Sequence, residues 1–146
     1  MSDFRQLSNK IWASPQISAK DIANASKLGF ALVVNNRPDG ESDDQPEGAS
    51  IEAAAIANGM TYCAIPITHA GFSDSQVAQM ADALESANGP VLAYCRSGTR
   101  STFLWSLAQA KLGRDLEELT AAAAAAGYDL SSIRPLLDIY KAQAHG

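Results

Sequence analysis

The stretch "PVLAYCRSGTRS", residues 90–101, ends an apolar run on Cys95 and follows it at once with a glycine loop and two arginines. As a thiolate, cysteine attacks electrophilic phosphorus, sulfur or carbon, and it ionises most readily beside cations or at the N-terminus of a helix. This stretch offers both surroundings. Arg100 carries a planar fork of donors suited to two oxygens of a tetrahedral oxyanion. The backbone amides of Arg96, Ser97, Gly98 and Thr99 form a nest for an anion where such a loop turns into a helix, and Gly98 allows the conformations a nest needs. Ser101 adds a hydroxyl directly after the arginine. Arg96, second in the stretch, reads as a charge facing solvent or standing at the mouth of the site. The other thiol, Cys63 in "TYCAIP", has no such neighbours and reads as a small buried hydrophobe.

For these groups to act together, Cys95 must end a strand and Arg100 must open a helix. The segment "PVLAYC" (90–95) is a short apolar run of the strand type, and "RSTFLWSLAQAKLG" (100–113) is a helix stopped by Gly113. Upstream, "KIWASPQIS" (10–18) is a short strand turning at Pro15, and "SAKDIANASKLGF" (18–30) a helix with Ser18 as N-cap and Gly29 as stop. A buried strand "FALVVNN" (30–36) runs into the loop "RPDGESDDQPEG" (37–48). It is followed by a helix "SIEAAAIANG" (50–59) with Ser50 as cap and Gly59 as terminator. Next come the strand "MTYCAIPI" (60–67), whose Pro66 places its end near an edge or a loop, and the helix "SDSQVAQMADALESANG" (73–89), with Val77, Met80, Ala81 and Leu84 on one face. Two further helices are expected in "DLEELTAAAAAAG" (115–127) and "DLSSIRPLLDIYKAQ" (129–143). Strands alternating with helices predict a single α/β domain with a central, mainly parallel sheet flanked by helices, its motifs in residues 11–113 and its C-terminal helices in 115–143. Ligands of such sheets bind at the carboxyl ends of the strands, where Cys95 stands.

Composition narrows the functions that fit. Hydrophobic residues are 47% of the 146 and charged residues 18%, an ordinary folded domain large enough to bury a core without staples. A net charge of −5 argues against a nucleic-acid surface, so an anion site has to be local. No run approaches the roughly 18 apolar residues of a membrane span. The start "MSDFRQLSNK" lacks the basic patch and apolar run of a signal peptide, so a cytoplasmic protein with both thiols reduced is expected. The pairs Cys63 and Cys95, His69 and His145 do not fall into a zinc spacing, and neither GxGxxG nor GxxxxGK[ST] occurs; no metal or cofactor is expected.

Cys95, Gly98, Arg100 and Ser101 resemble the phosphate loop of the cysteine-dependent protein phosphatases, particularly the dual-specificity branch. The segments "SPQIS", "VVNNRPDGE", "YCAIPIT" and "VLAYCRSGTRSTFLW", within residues 11–107, resemble the small bacterial phosphatase-like family found alone or fused to β-lactamase-fold hydrolases. The resemblance implies a cysteine-dependent phosphatase-like fold acting on a small-molecule or protein phosphoester through a cysteinyl-phosphate. In it Cys95 is the nucleophile, Arg100 the clamp on the equatorial oxygens, and Ser101 the hydroxyl that supports the thiolate and its departure. The amides of Arg96, Ser97, Gly98 and Thr99 bind the remaining oxygens. Two departures stand out. Four residues, "RSGT", separate Cys95 from Arg100 where the phosphatases have five, and Tyr94 occupies the place usually held by His.

The shorter loop resembles that of the rhodanese-type sulfurtransferases, in which Cys95 would take a sulfane sulfur from a donor, hold it as a persulfide and pass it to a thiol or cyanide. A non-catalytic anion- or phosphopeptide-binding module is the third reading, and it predicts that Cys95→Ser keeps function. A phosphatase also needs a general acid for the leaving oxygen, supplied in the family by an Asp on the loop after the strand matching "CAIPIT". Here that loop reads "THAGFSDSQ": His69 is a candidate, while Asp74 reads as a helix-cap or first-turn residue. Asp39 in "RPDGE" is the other candidate. Each has a plain structural alternative, an exposed loop histidine and an Asp-Gly turn.

Overall fold

Short runs rich in β-branched and apolar residues build four of the five strands, β2 (Ile11–Ser14), β3 (Leu32–Asn35), β4 (Thr61–Ala64) and β5 (Val91–Tyr94); the polar pair Arg5–Gln6 forms β1. They form one sheet in the order β1-β2-β5-β3-β4 in a computed structural model that describes residues 2–145. Every pairing is parallel except that of β1 with β2. The side chain of His145, weighed above as a metal ligand, lies outside the described residues.

Strand alternation divides the interior in two. Leu32, Val34, Val91 and Ala93 face one core, and Val33, Leu92 and Tyr94 face the other, so β3 and β5 are covered on both sides as a parallel sheet requires. The first core is closed by α3 (Asp74–Ser86), α4 (Thr99–Lys111), α5 (Leu116–Ala125) and α6 (Arg134–His145), the second by α1 (Ala19–Lys27) and α2 (Gly48–Ala57). Helix α4 packs between α3 and α6 and buries Ser101, Thr102, Leu104, Trp105 and Leu107, so it is enclosed nearly all round. This is the single α/β domain expected, with a mixed, mainly parallel sheet.

The caps explain where helices begin. Ser18 and Ser73 each accept a hydrogen bond from the third helical N–H and donate their own backbone N–H to that residue's side chain, Asp21 and Gln76, closing capping boxes on α1 and α3. The second helix departs from expectation: it starts at Gly48, two residues before the proposed Ser50 cap, because Asp39 Oδ1 accepts the Gly48 N–H at 2.8 Å from across the loop. The last segment also differs, with a 3₁₀ turn over Ser131–Ile133 preceding α6. Strand β1, two residues long, was not expected at all. Pro66 lies just past β4, the edge strand. Among the described residues no helix is long and apolar enough to cross a membrane.

Candidate active site

The loops after β2, β3, β4 and β5 leave the sheet at one edge, since these strands are parallel. Cys95 directly follows β5, its N–H donating to the Ser14 carbonyl. The chain then turns through Gly98, at φ +92°, into α4. In that turn the Gly98 N–H donates to Cys95 Sγ at 3.1 Å, so the sulfur sits in the nest at the helix N-terminus. Gly98 is required twice over: the left-handed φ is strained for other residues, and a Cβ there would collide with the Tyr128 hydroxyl. The Ser97 and Thr99 hydroxyls pair at 2.9 Å on the exposed side of the loop.

Arg100 projects from the first turn of α4 and is held end-on by Glu41, with Nη1 to Oε2 at 2.7 Å and Nη2 to Oε1 at 2.8 Å; Nη1 also donates to the Ile67 carbonyl. A guanidinium has five N–H groups, so Nε–H and one Nη2–H remain; neither donates to an oxygen among the described residues, and the Cys95 sulfur lies beside the guanidinium. Those two point along one edge of the fork. Glu41 is shared with Arg37, whose Nε donates to it at 2.9 Å. Arg37 is almost fully buried and also donates to Gln16 and Ser42. Hydrogen bonds from Arg100, acting against burial and reinforced by Arg37, lower the Glu41 carboxyl from 4.5 to about 2. The same pairing raises Arg100, with a smaller contribution from the neighbouring Cys95. A cleft of ≈ 490 Å³ lined by Pro38, Glu41, Thr68, His69, Arg96 and Arg100 opens here. Cys95 adds no surface to it: the residue is fully buried, close to the Arg100 guanidinium.

The other sequence-derived residues fall into two groups. His69 and Arg96 are exposed and line the cleft. Ser101 and Asp39 are engaged elsewhere. The Ser101 hydroxyl, fully buried, donates to Asn36 Oδ1 at 2.7 Å and not to the sulfur; Asn36 in turn donates to the Ile65 and Tyr94 carbonyls. Ser101 therefore ties three loops together. Asp39, considered as a general acid, spends Oδ1 on the α2 N-terminus and lines a neighbouring cleft with Tyr62 and Glu52. Asp74 is the first residue of α3 and accepts from the Tyr140 hydroxyl. Tyr94 points into the second core, where burial pushes its phenol far above the ordinary range. Half-burial likewise pushes the Cys63 thiol up. Among the described residues no cluster of three metal-ligating side chains occurs.

Asn36, Arg37, Glu41 and Tyr128 were missed. The first three lie in "NNRPDGE", where Asp39 alone stands out as a candidate acid; the four-residue spacing of Arg37 and Glu41 in an acidic loop is the available signal.

Comparison with known proteins bears on this arrangement. The family model described as "Beta-lactamase hydrolase-like protein, phosphatase-like domain" matches residues 3–112. A beta-lactamase hydrolase-like protein of Xylella fastidiosa is 30% identical over 125 residues, covering 85% of this chain but 29% of that protein. Its counterpart in Agrobacterium fabrum is 32% identical over 109 residues, covering 75% of this chain and 25% of that protein. The chain thus spans well under half the length of these curated relatives. Among solved structures, a candidate phosphatase of Neisseria meningitidis superposes with a TM-score of 0.85 at 32% identity, covering 96% of this chain and 99% of that one. P. aeruginosa TpbA, solved in complex with phosphotyrosine, shares the fold with a TM-score of 0.65 at 20% identity, covering 99% and 91%.

Proposed function

Because the chain belongs to the phosphatase-like domain family of the beta-lactamase hydrolase-like proteins, and is a cysteine-dependent phosphatase-like domain, we propose that it cleaves phosphoesters of good leaving groups through a cysteinyl-phosphate on Cys95. One observation carries the reading: Cys95 Sγ accepts the Gly98 N–H while Arg100, anchored by Glu41, keeps along one edge of its fork two donors that no oxygen among the described residues accepts. In the first step the Cys95 sulfur forms a bond to phosphorus in line with the ester oxygen. The P–O bond breaks and its electron pair leaves with that oxygen. The phosphoryl oxygens are held by the amides of Arg96, Ser97 and Thr99 and by the Nε–H and Nη2–H of Arg100, while the Gly98 N–H stays on the sulfur. Water then attacks phosphorus, the S–P bond breaks, and inorganic phosphate and the thiolate are released.

The leaving group sets the substrate class. Glu41, at about 2 and shared by two arginines, stays ionised and has no proton to give. Asp39 is turned to α2. His69 at the cleft rim is the remaining candidate donor, so phenolic leaving groups, which need little protonation, fit best. TpbA was solved with a phosphotyrosine, an ester of that kind. A reducing cytoplasm, which keeps both cysteines free, suits the nucleophile.

The same shortage of acids favours a second reading, sulfur transfer. Here the Cys95 thiolate attacks the outer sulfur of thiosulfate, the S–S bond breaks with its electron pair on sulfite, and the persulfide later yields that sulfur to a thiolate or cyanide. Neither leaving group needs a proton, and a loop of four residues between Cys95 and Arg100 is tight around a single sulfur atom. Incubating the protein with an aryl phosphate and, separately, with thiosulfate, then weighing it intact, decides the matter. Phosphoryl on Cys95 with release of phosphate supports the first reading; a single added sulfur with no hydrolysis of even an activated phosphate replaces it with the second. Binding of phosphate that survives Cys95→Ser, with no adduct from either reagent, defeats both in favour of a non-catalytic anion-binding module.

A further inference from the structure

Tyr128 lies beyond the residues matched by the family model and outside every motif that pointed to the site, yet it touches the nucleophile loop. Its hydroxyl donates to the Ser97 carbonyl at 3.0 Å. The Gly98 N–H that donates to Cys95 Sγ at 3.1 Å belongs to the same peptide unit. In a planar trans peptide the C=O and N–H point in opposite directions, so the unit is gripped at both ends: phenol on one side, sulfur on the other. Gly98 alone does not decide which way the unit faces. Glycine accepts positive and negative φ almost equally, so turning this peptide over has little intrinsic backbone cost. The turned-over state presents the Ser97 carbonyl oxygen to the sulfur and removes the donor.

We infer that Tyr128 is a positioning residue that selects the orientation of the Ser97–Gly98 peptide in which the N–H faces Cys95. The alanine-rich segment has a part in this. Helix α5 ends at Gly127, φ +94°, with the Tyr128 N–H bonded to the Ala123 carbonyl and the Gly127 N–H to that of Ala124, a tight helix stop that aims the next side chain. Arg5 of β1 lies over the Tyr128 ring, 5.2 Å from its centroid, and donates to the Ala126 carbonyl, pinning the ring from the far side. Tyr128 is nearly buried, and burial holds its phenol above the ordinary range, so it stays a donor at neutral pH. The assignment holds whichever group the sulfur takes up.

Tyr128→Phe removes the hydroxyl and keeps the ring. The test compares wild type and Y128F in two measurements: hydrogen exchange of the Gly98 amide by NMR, and the rate of adduct formation at Cys95 with an aryl phosphate and with thiosulfate. Losing one such hydrogen bond is expected to lower both the Gly98 protection and the adduct rate by about fivefold to tenfold, with core amides such as Val33 and Leu92 unchanged. If only thiosulfate gives an adduct, the phosphoester reading falls while the Tyr128 comparison stands on that reagent. Should Y128F lose its fold, Arg5→Ala, which releases the ring without altering the loop, takes its place with the same expectation. An adduct rate within about twofold of wild type in a folded variant, or a slower rate with Gly98 protection unaltered, overturns the assignment.

Discussion

Replacing Glu41 by glutamine keeps the size of the side chain and removes the charge that two arginines share. The carboxyl lies at about 2 in the folded protein against 4.5 when unconstrained, so its ionised form favours the folded state by about 3 kcal/mol, or nearer 2 where solvent screens the pair. Screening is partial: the Arg100 and Glu41 side chains are each 23% exposed, and that of Arg37 only 4%. Because the folded value is the lower one, the contribution is complete above 4.5 and is lost as pH falls through about 2. E41Q is therefore expected to be less stable by about 2–3 kcal/mol near neutral pH in urea unfolding followed by tryptophan fluorescence, the gap to wild type closing toward about pH 2. The reaction is expected to suffer as well, since glutamine offers one oxygen where Arg100 now meets two and sets an NH2 group against the other prong of the fork; a misplaced fork slows adduct formation by up to about 10²-fold. Equal stability at neutral pH, or a gap that persists unchanged in acid, refutes the shared-charge account.

Arg100→Lys should be nearly as inactive as Arg100→Ala in adduct formation, because an ammonium cannot hold Glu41 end-on and still present two parallel donors to an anion; near-normal turnover of R100K excludes the clamp. His69→Ala is expected to slow an alkyl phosphate by about 10²-fold while sparing an aryl phosphate and thiosulfate, whereas Asp39→Asn leaves the leaving-group dependence of the rate unchanged; a rate plot against leaving-group acidity separates them. Ser101→Ala leaves Asn36 Oδ1 without its buried donor and should cost about 1–3 kcal/mol in denaturant unfolding, a loss that wild-type-like stability would contradict.

The strand, loop and helix around Cys95 were legible because their signals are local: an apolar run, a glycine with positive φ, a helical pattern after it. So was Ser18, whose partner lies three residues away, whereas the cap of α3 is Ser73, one residue before the Asp74 considered for that place. What escaped is what the chain brings from a distance. Glu41 meets Arg100, Ser101 meets Asn36 and Tyr128 meets Ser97 only after the sheet has placed β3 beside β5 and α5 behind the loop. Asp39 shows the same limit in reverse: a capping residue nine positions before its helix looks like a turn or an acid, and it moved the start of α2 away from Ser50.

Strand β5 is the last strand in sequence and the middle one in space. Val91 pairs with Ile11 on one side and with Leu32 on the other, so until the chain has been made as far as Tyr94 the two halves of the sheet have nothing to join them. During synthesis β3 and β4 can associate early, while β2 waits with only its short antiparallel neighbour. Pairings that span so much sequence form slowly. The insertion that closes the sheet is also the event that delivers Cys95 to its loop. On the proposed reading, a half-made or half-folded chain therefore has no nucleophile, because the surroundings that Cys95 needs are assembled only with the finished domain.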